Sequence, residues 1–80
     1  MHLALFKTFL TVAKMGSISR ASEELYLTQP AVTKQIKALE HIYEKTLFER
    51  NRKRLILTDE GKILYDYAER LISLFADDTT

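Results

Sequence analysis

The sequence contains no cysteine, and it has only two glycines and one proline among 80 residues. Without cysteine there can be neither a disulfide framework nor a thiolate metal site. No apolar run is long enough to cross a bilayer, and the N-terminus lacks the basic segment and the small-residue cleavage site of a signal peptide. These absences favour the reducing cytoplasm, and we expect no membrane partner.

Recognisable catalytic motifs are also missing. The two histidines, His2 and His41, lie far apart in the chain, and His2 is next to the terminus. There is no glycine-rich phosphate loop, no cluster of metal ligands and no nucleophile elbow. We therefore expect that the chain is not an enzyme and that it binds neither a cofactor nor a metal ion. Its length allows one domain with a modest core.

Charge is distributed unevenly along the chain, although the net charge is only +1. Residues 1–27 carry +1, residues 28–54 carry seven basic and three acidic side chains, or +4, and residues 55–80 carry −4. A basic stripe of this kind is typical of a protein that binds a polyanion. A solvated surface without a partner is the alternative that charge alone leaves open.

Breaks in the apolar pattern divide the first half of the chain into three helices. Apolar residues recur at spacings of three and four over residues 3–13, and Gly16 ends this helix. Ser17 is placed to cap a short second helix. Thr28 is placed to cap a third helix, with Pro30 in its first turn, where a missing N–H group has no cost.

The second half is predicted to form a hairpin and a long helix. Residues 47–50 and 54–57 have the pattern of two short strands around a polar turn. Thr58 then caps a fourth helix, and residues 77–80 are expected to be frayed. The predicted fold is mainly α. It comprises a winged helix-turn-helix of three helices and a two-stranded wing over residues 1–58, followed by a long linker helix over residues 59–76.

The polar face of the third helix has the side chains that a reader of the DNA major groove needs. Lysines such as Lys34 and Lys37 can donate to guanine, and Gln29 at the tip can pair with adenine through two hydrogen bonds. The Thr33 methyl group can touch a thymine methyl. An ordinary solvated face is the alternative, but the short helix and tight turn that precede it favour a helix-turn-helix.

The predicted wing is strongly cationic. Four of the five residues from Arg50 to Arg54 are arginine or lysine. A basic loop beside a groove-binding helix suits a narrow minor groove, where negative potential is concentrated. A turn that is merely soluble does not account for so many cations in so short a segment.

Four segments of the chain follow one another in the order and spacing of a known family. They are Gly16-Ser17-Ile18-Ser19-Arg20-Ala21 with Leu25, then Thr28 to Glu40, then Leu47-Phe48-Glu49-Arg50, then Leu57-Thr58-Asp59-Glu60-Gly61. Over nearly its whole length the chain resembles the N-terminal domain of LysR-type transcriptional regulators. The resemblance implies a bacterial winged helix-turn-helix that binds promoter DNA and is nucleoid-associated when bound. It also implies a dimer formed through the fourth helix.

The resemblance assigns roles by position, with base reading at the start of the third helix and backbone contact at Ser17 and Thr28. Combined with the residue chemistry, it gives the predicted DNA-binding set: Ser17, Thr28, Gln29, Pro30, Ala31, Thr33, Lys34, Lys37, Arg50, Arg52, Lys53 and Arg54. Three residues depart from the family pattern. Ser22 replaces a usual alanine, and Arg52 and Glu44 stand where glycine is common. Glu44 must therefore adopt a left-handed turn, or the third helix must end differently.

The fourth helix has more apolar surface than one core face requires. One line of residues runs from Leu64 to Phe75, and a second line from Ile63 to Leu74 lies beside it. We interpret the excess as a dimer seam. A single wide core face is the alternative. The predicted interface residues are Ile63, Leu64, Tyr67, Ala68, Leu71, Leu74 and Phe75.

The expected partners are double-stranded promoter DNA and a second copy of the chain, with a tetramer as an option for the full-length protein. The resemblance further implies that a small-molecule effector is sensed only by a C-terminal domain that this chain lacks. The alternative function is a winged-helix module that docks onto an acidic protein. DNA binding would weaken steeply with salt and show sequence preference, whereas protein docking would show no such preference.

Overall fold

Four helices and an antiparallel hairpin make up the part of the protein that the structure describes. The computed structural model describes the backbone of residues 3–77 and the side chains as far as residue 74. The elements are α1 (Leu3–Met15), α2 (Ile18–Leu25), α3 (Gln29–Tyr43), β1 (Phe48–Asn51), β2 (Arg54–Leu57) and α4 (Asp59–Asp77). They confirm the predicted fold class. Asp77 still lies in α4, and the other residues of the predicted frayed tail, 78–80, lie outside the described residues.

The core is built around α1, which packs against α2, α3, α4 and β2. Phe9 and Val12 are completely buried, as the spacing of apolar residues in this helix predicts. The centroid of the Phe9 ring lies 5.4 Å from that of Phe48 at the start of the wing. Burial of one such aromatic side chain contributes about 1.5–3 kcal/mol to stability. This pair therefore fixes the wing to the helical body.

One face and one polar contact fix the orientation of α3. Val32, Ile36 and Leu39 are buried in the core. Beside them, the buried Thr8 hydroxyl on α1 donates a hydrogen bond to the side-chain carbonyl of Gln35. A buried hydroxyl needs such a partner, so the bond favours a single alignment of the two helices. As a result, the opposite face of α3 is held toward solvent.

Hydroxyl side chains cap the three helices that follow α1. Ser17 Oγ and Thr28 Oγ1 each accept a hydrogen bond from the backbone N–H group three residues later, at 3.1 and 3.2 Å. Thr58 Oγ1 does the same for α4 at 3.0 Å. These contacts confirm the three predicted caps. Each contributes about 1 kcal/mol, which matters most for α2 because it has only eight residues.

Two helices end at left-handed residues that are not glycine. Tyr26 ends α2 with φ 57°, and Glu44 ends α3 with φ 54°. In both cases the N–H group of the next residue donates to a carbonyl five residues back, at 2.9 and 3.1 Å. These bonds satisfy carbonyl groups that the helix end leaves free. Of the two alternatives that the sequence left for Glu44, the left-handed turn is the one found.

The wing is attached to the body at the turn between α1 and α2. β1 and β2 pair antiparallel, with Asn51 opposite Arg54 at the closed end. Between them Arg52 has φ 62°, a conformation that glycine adopts more readily. The N–H group of Leu55 donates to the carbonyl of Gly16 at 3.0 Å. This bond holds β2 beside the start of the helix-turn-helix.

The start of α4 is fixed against the segment that leads into the wing. The Thr58 hydroxyl donates to the Thr46 carbonyl at 2.6 Å, and the Thr58 N–H group donates to the Leu47 carbonyl at 3.0 Å. Gly61 lies so close to the same segment that a β-carbon there would stand 2.2 Å from the Leu47 oxygen. These contacts set the direction in which α4 leaves the body. Within residues 3–77, no helix has both the length and the apolar content needed to cross a membrane.

Candidate nucleic-acid interface

The polar face of α3 is exposed from its first turn onward. The predicted residues on this face that are exposed are Gln29, Pro30, Thr33, Lys34 and Lys37. Ala31 is half-buried beside them. The opposite face of α3 is anchored in the core. Because of this, α3 presents its exposed polar side chains on the surface of the body, and its diameter is that of an ordinary helix. A major groove about 12 Å wide accepts such a helix.

The two lysines of this face differ in their surroundings. Lys37 Nζ lies 3.9 Å from Glu40 Oε1, one turn further along α3. The Glu40 side chain is only 16% exposed, and its other oxygen accepts a hydrogen bond from the Leu47 N–H group at 2.8 Å. Glu40 is therefore held in place and draws Lys37 toward the wing. Lys34 lies in no ion pair among the described residues.

Ser17 and Thr28 stand at the N-termini of α2 and α3, as predicted. Each hydroxyl oxygen accepts a backbone hydrogen bond as a helix cap. A hydroxyl that accepts in this way still has its own proton to donate. The two caps can therefore donate to a phosphate, together with the backbone N–H groups of the first helical turns.

The cationic wing lies on the same side of the molecule as the start of α3. Arg50, Arg52, Lys53 and Arg54 are all exposed. A hollow of about 210 Å³ separates the wing from the helix-turn-helix, and its lining includes Ser17, Gln29, Arg50 and Lys53. The structure thus brings together the cap of α2, the tip of α3 and the wing, which are remote in sequence.

The titratable side chains form no further functional site in the part of the chain that is described. Among the side chains of residues 3–74 there is no group of three or more His, Cys, Asp or Glu that could hold a metal ion. Burial, and then the charge of Glu69 and a hydrogen bond to it, raise the pKa of Tyr65 above its ordinary value. The Tyr65 phenol lies on α4 and packs against Phe9, with ring centroids 6.4 Å apart. Its proton is held for a contact within the fold, away from the exposed face of α3.

The predicted dimer seam divides into a buried line and an exposed line. Leu64 and Ala68 are buried in the core of a single chain, and Leu71 is half-buried against that core. For Leu64 and Ala68 the structure corrects the expectation that they face a partner, because both are covered within one chain. Leu71 keeps part of its surface exposed and stays a predicted interface residue. The exposed line is made up of Ile63 (74% exposed), Tyr67 (54%) and Leu74 (66%). The side chain of Phe75, the seventh predicted residue, lies outside the described residues.

Tyr43, at the end of α3, extends the exposed line and was not among the predicted interface residues. It is 39% exposed, and the Phe6 ring lies between it and Tyr67, with both centroids 6.4 Å away. We call Tyr43, Ile63, Tyr67 and Leu74 the α4 patch. Next to it is a mostly apolar groove of about 480 Å³, lined by Tyr43, Lys45, Leu47, Glu60, Ile63, Leu64 and Tyr67. Only the position of Tyr43 at the end of α3 could have indicated that it is exposed. The spacing of apolar residues along α3 is compatible with either a buried or an exposed Tyr43.

Comparison with known proteins identifies the family. The model of the bacterial regulatory helix-turn-helix proteins of the lysR family matches residues 3–62. The chain belongs to the LysR family. It is a LysR-type helix-turn-helix DNA-binding domain of a transcriptional regulator, as the sequence predicted, and the protein-docking alternative is not favoured.

Curated LysR-type relatives align with most of the chain. It is 44% identical over 77 residues to an HTH-type transcriptional regulator from the ibpB-leuC intergenic region of Azotobacter vinelandii, covering 96% of the chain and 54% of that protein. It is 46% identical over 69 residues to the HTH-type regulator CfxR of Cupriavidus necator, covering 86% of the chain and 22% of CfxR. The chain thus spans about half of the first relative and under a quarter of the second.

Solved LysR-type structures have the same fold. The BenM DNA-binding domain in complex with catB site 1 DNA superposes with a TM-score of 0.93 at 30% identity, over 99% of this chain and 85% of BenM's. The CbnR DNA-binding domain in complex with DNA gives a TM-score of 0.91 at 30% identity, over 99% and 91%. The chain therefore shares its fold with two DNA-binding domains that were solved in complex with DNA.

Proposed function

We propose that this LysR-type domain reads promoter DNA with α3 in the major groove and the wing in a flanking minor groove, as a dimer. The observation that carries the proposal is the hollow bordered by Ser17, Gln29, Arg50 and Lys53, which sets the tip of α3 and the wing on one side. Both elements can then contact a single duplex. The solved complexes of the BenM and CbnR DNA-binding domains with DNA support the choice of DNA as the ligand.

Base reading is assigned to the first two turns of α3. Gln29 presents an amide that can pair with adenine, and Lys34 an ammonium group that can donate to guanine. Thr33 lies between them and can place its methyl group against thymine. Pro30, Ala31 and the caps Ser17 and Thr28 bring the helix end close to the backbone, where N–H groups meet phosphate.

The wing supplies charge rather than a base code. Arg50, Arg52, Lys53 and Arg54 can enter or border a narrow minor groove, whose negative potential attracts arginine most strongly where the sequence is rich in A·T pairs. Lys37, drawn toward Glu40 at 3.9 Å, is assigned to the phosphates between α3 and the wing.

A dimer is proposed because one winged helix reads too few base pairs to find a single genomic site. The α4 patch supplies the surface for it, since exposed Ile63, Tyr67 and Leu74 fall on one side of the helix at spacings of four and seven. Such a regulator would act in the bacterial cytoplasm and join the nucleoid when bound. In a longer protein built like the relatives, effector sensing and tetramer formation would belong to the part beyond this chain.

We expect Gln29→Ala and Lys34→Ala each to relax preference at particular base pairs, at a cost of about 1–3 kcal/mol on the preferred site. The loss should be small on duplexes that already have the wrong base at that position. Fluorescence anisotropy titrations of a panel of duplexes that differ at single base pairs measure these affinities. Lys62→Ala, which removes an exposed cation from α4, is the matched control. A uniform loss on every duplex would show that these side chains contact only phosphates.

A further inference from the structure

A second, larger hollow lies between the α1–α2 turn and the wing. Its volume is about 500 Å³, and it is lined by Lys14, Met15, Gly16, Ser17, Arg20, Lys53 and Arg54. Four of these residues are cations and none is acidic. Two of the four, Lys14 and Arg20, belong to the first third of the chain, outside the basic stripe. Cations gathered around a concave surface concentrate positive potential at its centre.

One wall of this hollow is held by Gly16. Its φ is 64°, and a β-carbon there would lie 3.0 Å from Nη2 and 3.1 Å from Nε of Arg54. The absence of a side chain therefore lets the Arg54 guanidinium rest against the backbone. The hydrogen bond from Leu55 N–H to the Gly16 carbonyl holds the two segments at this separation. The Arg54 guanidinium thus lies against the Gly16 backbone at the edge of the hollow.

The other wall is formed by the ends of two helices. Arg20 is in the first turn of α2, where its own N–H group is bonded to the Ser17 cap. The helix N-terminus adds partial positive charge to that of the guanidinium. Lys14, in the last turn of α1, has one acidic neighbour, Glu69 on α4, at 3.9 Å. Both side chains of this pair are about half exposed (58% and 49%), so water screens the pair and Lys14 can readily exchange it for another anion.

The position of the hollow indicates its ligand. It shares Gly16, Ser17 and Lys53 with the smaller hollow that leads to Gln29 at the tip of α3. A duplex that has α3 in its major groove would therefore carry one backbone strand across both hollows on the way to the wing. We propose that the larger hollow binds a backbone phosphate of that strand, with Lys14 and Arg20 as contact residues additional to those of α3 and the wing. The proposal rests on the proposed function.

Arg20→Gln and Lys14→Gln test the assignment, because both side chains are exposed and glutamine keeps a flexible polar side chain, although a shorter one, while removing the charge. Each contact to a phosphate contributes about 0.9 to the slope of log affinity against log salt concentration. We expect each variant to lose about that much of the slope. The loss should be equal on the selected site and on random duplex, because a phosphate contact carries no sequence information.

Two controls isolate the phosphate contact. Lys62→Gln removes the same charge from exposed α4 outside the hollow and should leave the slope unchanged. Glu69→Gln breaks the Lys14 pair but keeps every cation of the hollow, so affinity for DNA should be unchanged or higher.

Inorganic phosphate at millimolar concentration and constant ionic strength should not displace DNA, because a single hollow is a small part of the contact. Displacement at that level would overturn the assignment to the DNA backbone in favour of a free anion.

The proposal is overturned if Arg20→Gln and Lys14→Gln have the same salt slope as Lys62→Gln while the wild-type chain binds DNA with sequence preference. That result would leave the groove-reading function intact. If the wild-type chain itself shows neither sequence preference nor salt dependence, the proposed function fails first. The two failures are therefore distinguishable from one set of titrations.

Discussion

Ile63→Glu is expected to produce folded monomers that bind a palindromic site on the order of 10²-fold more weakly than the wild type. Ile63 is 74% exposed on α4, so a carboxylate there leaves the core of one chain untouched. In a dimer it would be buried without a partner against apolar side chains, and this is strongly unfavourable. Once the second subunit is lost, the advantage of binding two linked half-sites is lost with it.

Light scattering measures the mass of the particle in solution, and circular dichroism shows whether the variant is folded. Titrations of a half-site and of a palindromic site give the two affinities. Ser73→Glu adds the same charge to an exposed position on another side of α4, and it should leave both mass and affinity close to the wild type. A wild-type chain that remains monomeric at high concentration and binds both DNAs equally well would contradict the dimer proposal. The base-reading role of α3 would survive that result.

Gly61→Ala is expected to lower the free energy of unfolding by about 1–3 kcal/mol or more, as overpacking of a closed core does. The new β-carbon would stand 2.2 Å from the Leu47 carbonyl oxygen and 3.0 Å from Leu57 Cδ2. Because the first of these atoms belongs to the backbone, α4 must move away from the segment at Leu47 that leads into β1. That movement also strains the hydrogen bond from Thr58 N–H to the same carbonyl.

Helix propensity alone predicts the opposite sign, since alanine is favoured over glycine in a helix by about 1 kcal/mol. Ser73→Ala, at an exposed position of the same helix, is the matched control and should be neutral or slightly stabilising. Urea denaturation of both variants measures the difference. A Gly61→Ala variant as stable as the wild type would contradict the close approach between α4 and the segment at Leu47.

Local chemistry was sufficient to predict most of the helix-turn-helix. The hydroxyl caps Ser17, Thr28 and Thr58 act on residues only three positions away, so the sequence contains all the information needed. The polar side chains of the third helix likewise marked its outer face, and Gln29 and Lys34 are exposed there. The constraint on Glu44 came from the resemblance to the LysR family, in which glycine is common at that position.

The division of α4 into core and surface could not be predicted from its own pattern. The two apolar lines are adjacent on one helix, and either could pack inward. The choice depends on the direction in which α4 leaves the body, and the contact of Gly61 with the Leu47 carbonyl sets that direction. A charge at Leu71, which the pattern suggests as readily as Ile63, would therefore damage the core as well as the seam.

The larger hollow, for which we propose a phosphate ligand, could not be predicted from the sequence for a related reason. Lys14 and Arg20 lie in a part of the sequence whose charge is only +1, and nothing in their own spacing links them to the wing. They meet Arg54 because Leu55 bonds to the Gly16 carbonyl, a contact between segments almost forty residues apart. Long-range contacts of this kind have no local signature.

Selection of duplexes from a random library by the wild-type chain, followed by sequencing, tests the central claim most directly. The account predicts an enriched inverted repeat whose half-sites are separated by about one helical turn of DNA, or a multiple of it. The preference at one position in each half-site should disappear when the selection is repeated with Gln29→Ala. Recovery of bound DNA without any preferred bases would contradict the claim that α3 reads sequence.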